Sequence, residues 1–436
     1  MKRGAHSIPA KALTGLAFLS GLAAIVANST RLDAVFRRIL PGLSSAASVI
    51  PLAFVSLVAG EFPLHVLAAE AATGMALGRK AIRRPGGRLA MLVIIASWAG
   101  LVRAQRTANQ AEAVFDRALR DALGEHYDDD LPAATERDSA TRLQDTWFPR
   151  LTERRRYLRH ENLAYGDAGV RNHLDIWHRE DLPSDGRAPV LVQIHGSAWV
   201  AGSKRGQAYP LMAHMAERGW VCVAINYSLA PAARWPAHII DVKRALAWVK
   251  REIGNYGGDP EFVALTGGSA GGHLTALAAL TPREPIFQPG FEDADTSVVA
   301  AVPVYGLYDL LGRLGHSPPE QEAFLTRIVI GVPPDRARQT WEQGCPTSWL
   351  NPDAPPFFIL HGDIDTFVSA RQAEAFADRL RAVSGQPVVY AELPGAQHMW
   401  EALPSVRTAA TVAAVDRFLS HLHRQYSNRS ASAPGR

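Results

Sequence analysis

Four short stretches carry residue types that together could perform acyl transfer. The first is GGSAGG at 267–272, where glycines bracket Ser269 between a strand-like run, Phe262 to Leu265, and a helix-forming run, Ala270 to Leu280. Gly267, Ser269 and Gly271 fit a G-x-S-x-G elbow, a tight strand-to-helix turn that lifts a serine hydroxyl into the open. Taken alone, the pentapeptide reads equally well as a glycine-rich turn with a capping serine. A serine is a weak nucleophile until a base takes its proton, and that base needs a carboxylate to orient it. FFILHGDIDTFV, at 357–368, ends one strand-like run and presents Asp363 and Asp365. VVYAELPGAQHMW, at 388–400, ends the next and presents His398. The order Ser, Asp, His is the one expected when the nucleophile follows a central strand. His398 is the candidate base, because only His421 and His423 follow it and both lie on an amphipathic terminal helix. Between the carboxylates the residues leave a choice, since Asp363 could instead cap the loop or bond backbone amides. The fourth stretch is HGSAWVAG at 195–202. A tetrahedral intermediate needs backbone N–H donors aimed at its oxyanion, and small residues at Gly196, Ser197 and Ala198 let main chain approach. Ala270, just after the serine, supplies another N–H. His195, His273 and His361 are expected to anchor loops or pack.

The elements needed to hold these stretches are visible from about Tyr157 onward. Leu163–Tyr165 and Leu174–Trp177 flank a turn-like GDAG and predict a hairpin. Val190–Ile194, Val221–Asn226, the run before Ser269, Val298–Val304, Phe357–Leu360 and Val388–Leu393 read as strands. Helices are expected after Pro236, after Ser269, near Ala370–Val383 and over Val406–Leu422. Strands alternating with helices predict an α/β fold with a mostly parallel sheet covered on both faces. That context favours the elbow over the bare turn, since open α/β sheets place their chemistry at strand carboxyl ends. Leu307–Pro356 separates two core strands by more than a usual connection and reads as a lid-like insertion. Its Phe324, Leu325, Trp341 and Trp349 could line an acyl pocket or pack the insertion onto the sheet.

The first hundred residues differ. Apolar runs at Ala12–Asn28, Leu43–Gly60, a weaker Phe62–Gly78 and Leu89–Val102 are separated by charged joints. A cleavable signal peptide would account for the first but not for the later ones. The expected organisation is a membrane-anchoring region at 1–103, a charged linker or cap helix at 104–156, a catalytic domain at 157–425 and a disordered tail at 426–436. The amphipathic stripe around Phe115 could cover the site's mouth. Five basic residues and no acidic one in Arg79–Arg88 mark a cytoplasmic joint. Crossings at 12–28, 43–60 and 89–102 then place the catalytic domain outside the cytoplasm. A net charge of +4, with no aromatic interleaving of the basic clusters, argues against a nucleic-acid partner. Two cysteines, Cys222 and Cys345, exclude a disulfide framework, and no zinc-ligand spacing occurs.

Together HGSAW, GGSAGG, HGDID and His398 resemble the hormone-sensitive-lipase-type esterases of the α/β-hydrolase superfamily, over about Tyr157 to His423. With the apolar N-terminus included, the chain is similar to membrane-associated mycobacterial carboxylesterases. That group typically shows HGGGW and GDSAGG, so Ser197 and Ala198 replace two glycines and Gly268 an acidic residue. YSLAP at 227–231 resembles the group's YRLAP, with Ser228 in the arginine position. The resemblance implies Ser269 as nucleophile, Asp365 as acid, His398 as base, and Ser197, Ala198 and Ala270 as oxyanion donors. It implies a serine carboxylesterase of short- to medium-chain acyl esters, with membrane lipid as a further partner and no metal or redox cofactor. An amide-cleaving relative, a deacetylase or formamidase, would use the same groups. A catalytically dead, membrane-tethered binding module is the reading from another class, and the intact triad speaks against it.

Overall fold

The computed structural model describes residues 46–81, 83, 85–129, 149–183, 186–315, 317 and 319–432, with isolated positions 15 and 21. Most of the expected crossing at 12–28, and residues 130–148 of the charged linker, therefore lie outside the described residues. The chain divides into two compact units, one of Met1–Glu112, Gly362–Phe367 and Leu393–Arg407, the other of the remainder.

The second unit is built on an eight-stranded sheet in the order β1-β2-β4-β3-β5-β6-β7-β8. The strands are β1 (Leu158–Ala164), β2 (His173–Trp177), β3 (Ala188–Ile194), β4 (Val221–Ile225), β5 (Gly258–Gly268), β6 (Ala300–Val304), β7 (Phe357–Gly362) and β8 (Val388–Leu393). β1 and β2 form the expected antiparallel hairpin, and β2 also pairs antiparallel with β4. From β4 through β3, β5, β6 and β7 the pairing is parallel. Every residue of β3 is buried, as a strand covered by helices on both faces requires. The crossover helices are Tyr209–Glu217, Ala237–Glu252, Ala270–Leu280 and Ala370–Arg381, and Val406–Ser432 closes the chain. That last helix runs past residue 426, where a tail was expected, as far as Ser432.

Of the two readings the insertion left open, packing onto the sheet is the one seen. Trp341 and Leu325 of the insertion at 307–356 are buried in the same core cluster as Val190, Val192, Val263 and Leu265, with Phe324 and Trp349 packed against it. Helix Ala111–Leu123 packs onto the sheet and the terminal helix. Its Phe115 meets Phe358 of β7 edge-on at 6.0 Å, and its Asp116 accepts from Arg417 of the terminal helix at 3.3 Å. The stripe at Phe115 is thus a core contact of the sheet.

The first unit begins with α1 (Ala46–Glu61), α2 (Pro63–Ala81) and α3 (Pro85–Ala108). Pro63 lacks an amide hydrogen and disfavours helix at Phe62, so α1 and α2 meet at a 94° bend rather than forming one rod. Ala59, Leu101 and Ala104 form a small core with Val66, Leu67 and Trp98, and the Trp98 indole donates to Glu70 at 3.2 Å. Phe54, Leu64, Met75, Leu89, Leu92 and Ile95 are exposed. Among the described residues the helical stretch Gly86–Leu123 is long and apolar enough to cross a membrane, with the bent pair a second if it counts as one span. The run expected to cross at 43–60 carries a face at Ala53, Ser56, Leu57 and Ala59 that is buried within the unit.

Candidate active site

Ser269 follows the carboxyl end of β5, a central strand, and stands at φ 58°, ψ −121°. A non-glycine residue at positive φ is strained by about 1–3 kcal/mol, and such strain persists where the surroundings fix it. What fixes it is close backbone approach. β5 pairs Gly267 with Ile194 of β3 and Gly268 with Val304 of β6. A Cβ on Gly267 would lie 2.6 Å from the Ile194 carbonyl oxygen, and one on Gly271 would lie 2.8 Å from that of His195. The Ser269 amide donates to the Val304 carbonyl at 2.9 Å, and its own carbonyl accepts from His273 at 2.9 Å, opening the helix Ala270–Leu280. As the first residue of that helix, Ala270 has an N–H for which the helix offers no acceptor. The helix's far end is capped by buried Lys243, whose Nζ donates to the carbonyls of Ala278 (2.9 Å) and Thr281.

The neighbouring loop after β3 is bent the same way. Ser197, Ala198 and Trp199 take φ of 79°, 54° and 61°, three consecutive residues in the left-handed region. An L-residue there costs roughly 1–2 kcal/mol, which is why glycines suit these positions in the resembling esterases. The Gly196 amide is occupied, donating to Gln207 Oε1 at 2.7 Å, and Gln207 Nε2 reaches Ser197 Oγ at 3.4 Å. Within this loop that leaves the amides of Ser197 and Ala198 as the candidate oxyanion donors. A Cβ on Gly196 would meet Ser269 Cβ at 3.2 Å, so this loop abuts Ser269. His195 is an anchor: its ring stacks on Tyr227 at 4.3 Å, and the Tyr227 hydroxyl donates to the His195 carbonyl at 2.9 Å. Burial pushes the His195 imidazole down to about 4, as it does for His273, so both rings are neutral near pH 7. His273 contacts the Gly344 carbonyl through Nε2 at 2.7 Å, and His361 contacts that of Val368 at 3.0 Å; both are loop-fixing contacts.

The candidate acid and base, Asp365 and His398, belong to the first unit. Asp365 Oδ2 lies 2.6 Å from His398 Nδ1, and its other oxygen accepts from the Phe367 amide at 2.8 Å. The two side chains are 0% and 6% exposed, so the contact is shielded from water. Asp363 faces elsewhere and accepts from the Gly395 amide at 2.6 Å. Of the two carboxylates, Asp365 is the one seen against the imidazole. The Phe367 ring stands 5.3 Å from that of His398.

Sequence reasoning missed three residues. Gln207 and Gln397 are isolated polar residues without a motif, and Tyr305, whose ring backs Gly268, follows β6 with no local signal. A cleft of about 580 Å³ lined by Tyr165, Arg244, Lys250 and Phe291 includes none of the site residues. Cys222 and Cys345 are both free and buried. Among the described residues, no group of three or more His, Cys, Asp or Glu side chains could hold a metal ion.

The BD-FAE family matches residues 174–380. The chain is 47% identical over 384 residues to LipM of Mycobacterium tuberculosis, named as a probable carboxylic ester hydrolase, covering 88% of each chain. It is 42% identical over 375 residues to the esterase LipQ of the same organism, covering 84% of this chain and 83% of the relative. Among solved structures, esterase Est2 of Thermogutta terrifontis overlays with a TM-score of 0.53 at 23% identity, over 60% of this chain and 92% of Est2.

Proposed function

Because this chain belongs to the α/β-hydrolase-type carboxylic ester hydrolases, we propose that Ser269, Asp365 and His398 form its catalytic triad. The observation that carries the reading is the strained elbow, with Ser269 at φ 58° on the end of β5. The two halves lie in separate compact units, and their meeting in one triad is part of the proposal. In that reading His398 Nε2 takes the Ser269 proton as Oγ attacks the acyl carbonyl. Asp365 holds the Nδ1–H, fixing the tautomer and stabilising the imidazolium. The amides of Ser197, Ala198 and Ala270 receive the oxyanion, each worth roughly 3–4 kcal/mol in rate terms. His398 then protonates the departing alcohol, and a water repeats the sequence on the acyl-enzyme.

The substrates proposed are short- to medium-chain acyl esters. Ser269→Ala should lower kcat by on the order of 10⁴-fold or more. A fluorophosphonate should label Ser269 and no other residue. Asp365→Asn should cost kcat on the order of 10⁴-fold, whereas Asp363→Asn, whose amide oxygen can still accept from Gly395, should cost far less. Labelling elsewhere, or the reverse ranking of the two aspartates, would overturn the assignment. A p-nitrophenyl ester series of graded chain length, run beside aryl amides, reads out the substrate class. We also propose that the exposed apolar residues of α1 to α3 contact lipid, with the catalytic unit extracytoplasmic. The exposure of Phe54, Leu64, Leu92 and Ile95 and the basic joint at 79–88 support that placement, and protease access to a C-terminal tag tests it.

A further inference from the structure

We infer that helix α1 and Gln397 together act as a positioning device for the acid–base pair, an inference that rests on the triad proposed above. Gln397 is 1% exposed and sits beside His398 in sequence. Its Oε1 accepts from the Thr366 amide at 2.8 Å, the Thr366 hydroxyl at 3.2 Å and the His398 amide at 2.9 Å. Thr366 directly follows Asp365, so one carboxamide oxygen ties the carboxylate's loop to the imidazole's loop. Backbone amides can only donate, so the oxygen must face them and the Nε2 must face the other way. There it donates to Ser56 Oγ on α1 at 3.4 Å.

A second anchor closes the same loop at its ends. Arg407, 1% exposed, donates through Nη1 to Glu61 Oε1 at 2.8 Å and to the Gly60 carbonyl at 2.9 Å. Through Nε and Nη2 it reaches the Pro394 carbonyl, at 3.3 and 3.1 Å. The Ser405 hydroxyl donates to the other Glu61 oxygen at 2.5 Å. The segment 394–407, with His398 in it, is thus closed end to end by Arg407, and its far end is pinned to the last turn of α1. A buried ion pair adds little net stability compared with apolar packing, and its best-attested use is to specify one geometry. The geometry here is the 2.6 Å contact between Asp365 and His398, held from the middle by Gln397 and from the far end by Glu61. A catalytic pair tolerates little displacement, since 1 Å of misplacement costs on the order of 100-fold.

The test uses the full chain in detergent micelles, with p-nitrophenyl butyrate as substrate. Gln397→Ala should lower kcat on the order of ten- to a hundredfold with KM nearly unchanged, because the Thr366 and His398 amides lose their acceptor and the imidazole drifts. Gln397→Glu keeps an oxygen for those amides and should recover most of that loss. Its added negative charge beside His398 should also move the acidic limb of the kcat/KM profile to higher pH, because it stabilises the imidazolium. Ser56→Ala, a smaller change on the far side of the device, should lower kcat by a few fold, and it carries the test if Gln397→Ala does not fold. Full activity in folded Gln397→Ala, or equal losses in both Gln397 variants with no movement of the pH limb, would overturn the positioning role. His398→Ala in the same series separates the two proposals. An active His398→Ala sinks the triad itself, whereas an inactive one beside unaffected Gln397 and Ser56 variants sinks only this inference.

Discussion

Gly268 stands where the resembling esterases carry an acidic residue, and restoring that residue here should damage the protein. A Cβ on Gly268 would lie 2.5 Å from the Tyr305 hydroxyl and 2.8 Å from both Cε2 and Cζ of its ring. The ring cannot easily retreat. Tyr305 is 2% exposed, and its amide donates to the Leu360 carbonyl at 2.7 Å from a backbone φ of 39°. Gly268→Asp therefore overpacks a full core, at about 1–3 kcal/mol. Burying the new carboxyl group without a partner adds roughly another 1–3 kcal/mol. Some of the displacement falls on Ser269 next door, so kcat/KM should drop on the order of 100-fold even in the folded fraction. Urea unfolding followed by near-ultraviolet circular dichroism, with ester kinetics on the same samples, measures both. Removing the obstacle supplies the control. Tyr305→Ala alone should cost about 3–5 kcal/mol as a large-to-small change. The double variant should be more stable than the sum of the singles by about 1–3 kcal/mol, because the aspartate occupies space the ring has left. Tyr305→Phe removes the nearest atom but leaves Cε2 and Cζ, so it should rescue less. A Gly268→Asp variant with unchanged stability and activity, or a strictly additive double variant, would refute this account of why position 268 is glycine.

The protein should be acid-labile below pH 6.5. Burial lowers the imidazoles of His195 and His273 to about 4 and that of His238 to about 3, so the folded chain resists protons that the unfolded chain takes up from pH 6.5 downward. Stability present above pH 6.5 is then lost as pH falls toward 4, by up to about 1.4 kcal/mol per pH unit for each ring. Among the described residues neither His238 ring nitrogen has a hydrogen-bond partner, so His238→Phe should flatten the fall of Tm with pH, and an unchanged slope would count against the idea. For topology, protease added to intact cells should remove a C-terminal tag, whereas digestion only after lysis would put the catalytic unit in the cytoplasm.

The parts of the chain that were legible are those where local chemistry and local geometry coincide. β3 reads from its apolar run because a strand covered on both faces has no polar side to show. The elbow reads from its glycines because the close approach to Ile194 and His195 admits no side chain. The insertion at 307–356 was half legible: its length marked it, but whether Trp341 lined a pocket or packed a core depends on what lies opposite. Gln207 and Gln397 were illegible because a lone glutamine has no periodicity, and its value lies in which amides come to meet it. Least legible of all was the partnership of α1 with the loop of His398. Ser56 and Gln397 are 341 positions apart, and Glu61 and Arg407 are 346 apart. Apolar composition gave α1 its helix and concealed that one face is not for lipid.

That partnership bears on how the enzyme can be handled at the bench. The usual remedy for a greasy leader is to cut it away and express the remainder alone. Starting this chain after residue 103 would remove Ser56, Gly60 and Glu61 while leaving Arg407, 1% exposed, without its carboxylate. With the helix gone, water reaches that guanidinium, and the segment that bears the imidazole loses its anchor. A shortened version could therefore dissolve well and still turn over poorly, and its kinetics would describe the cut rather than the enzyme.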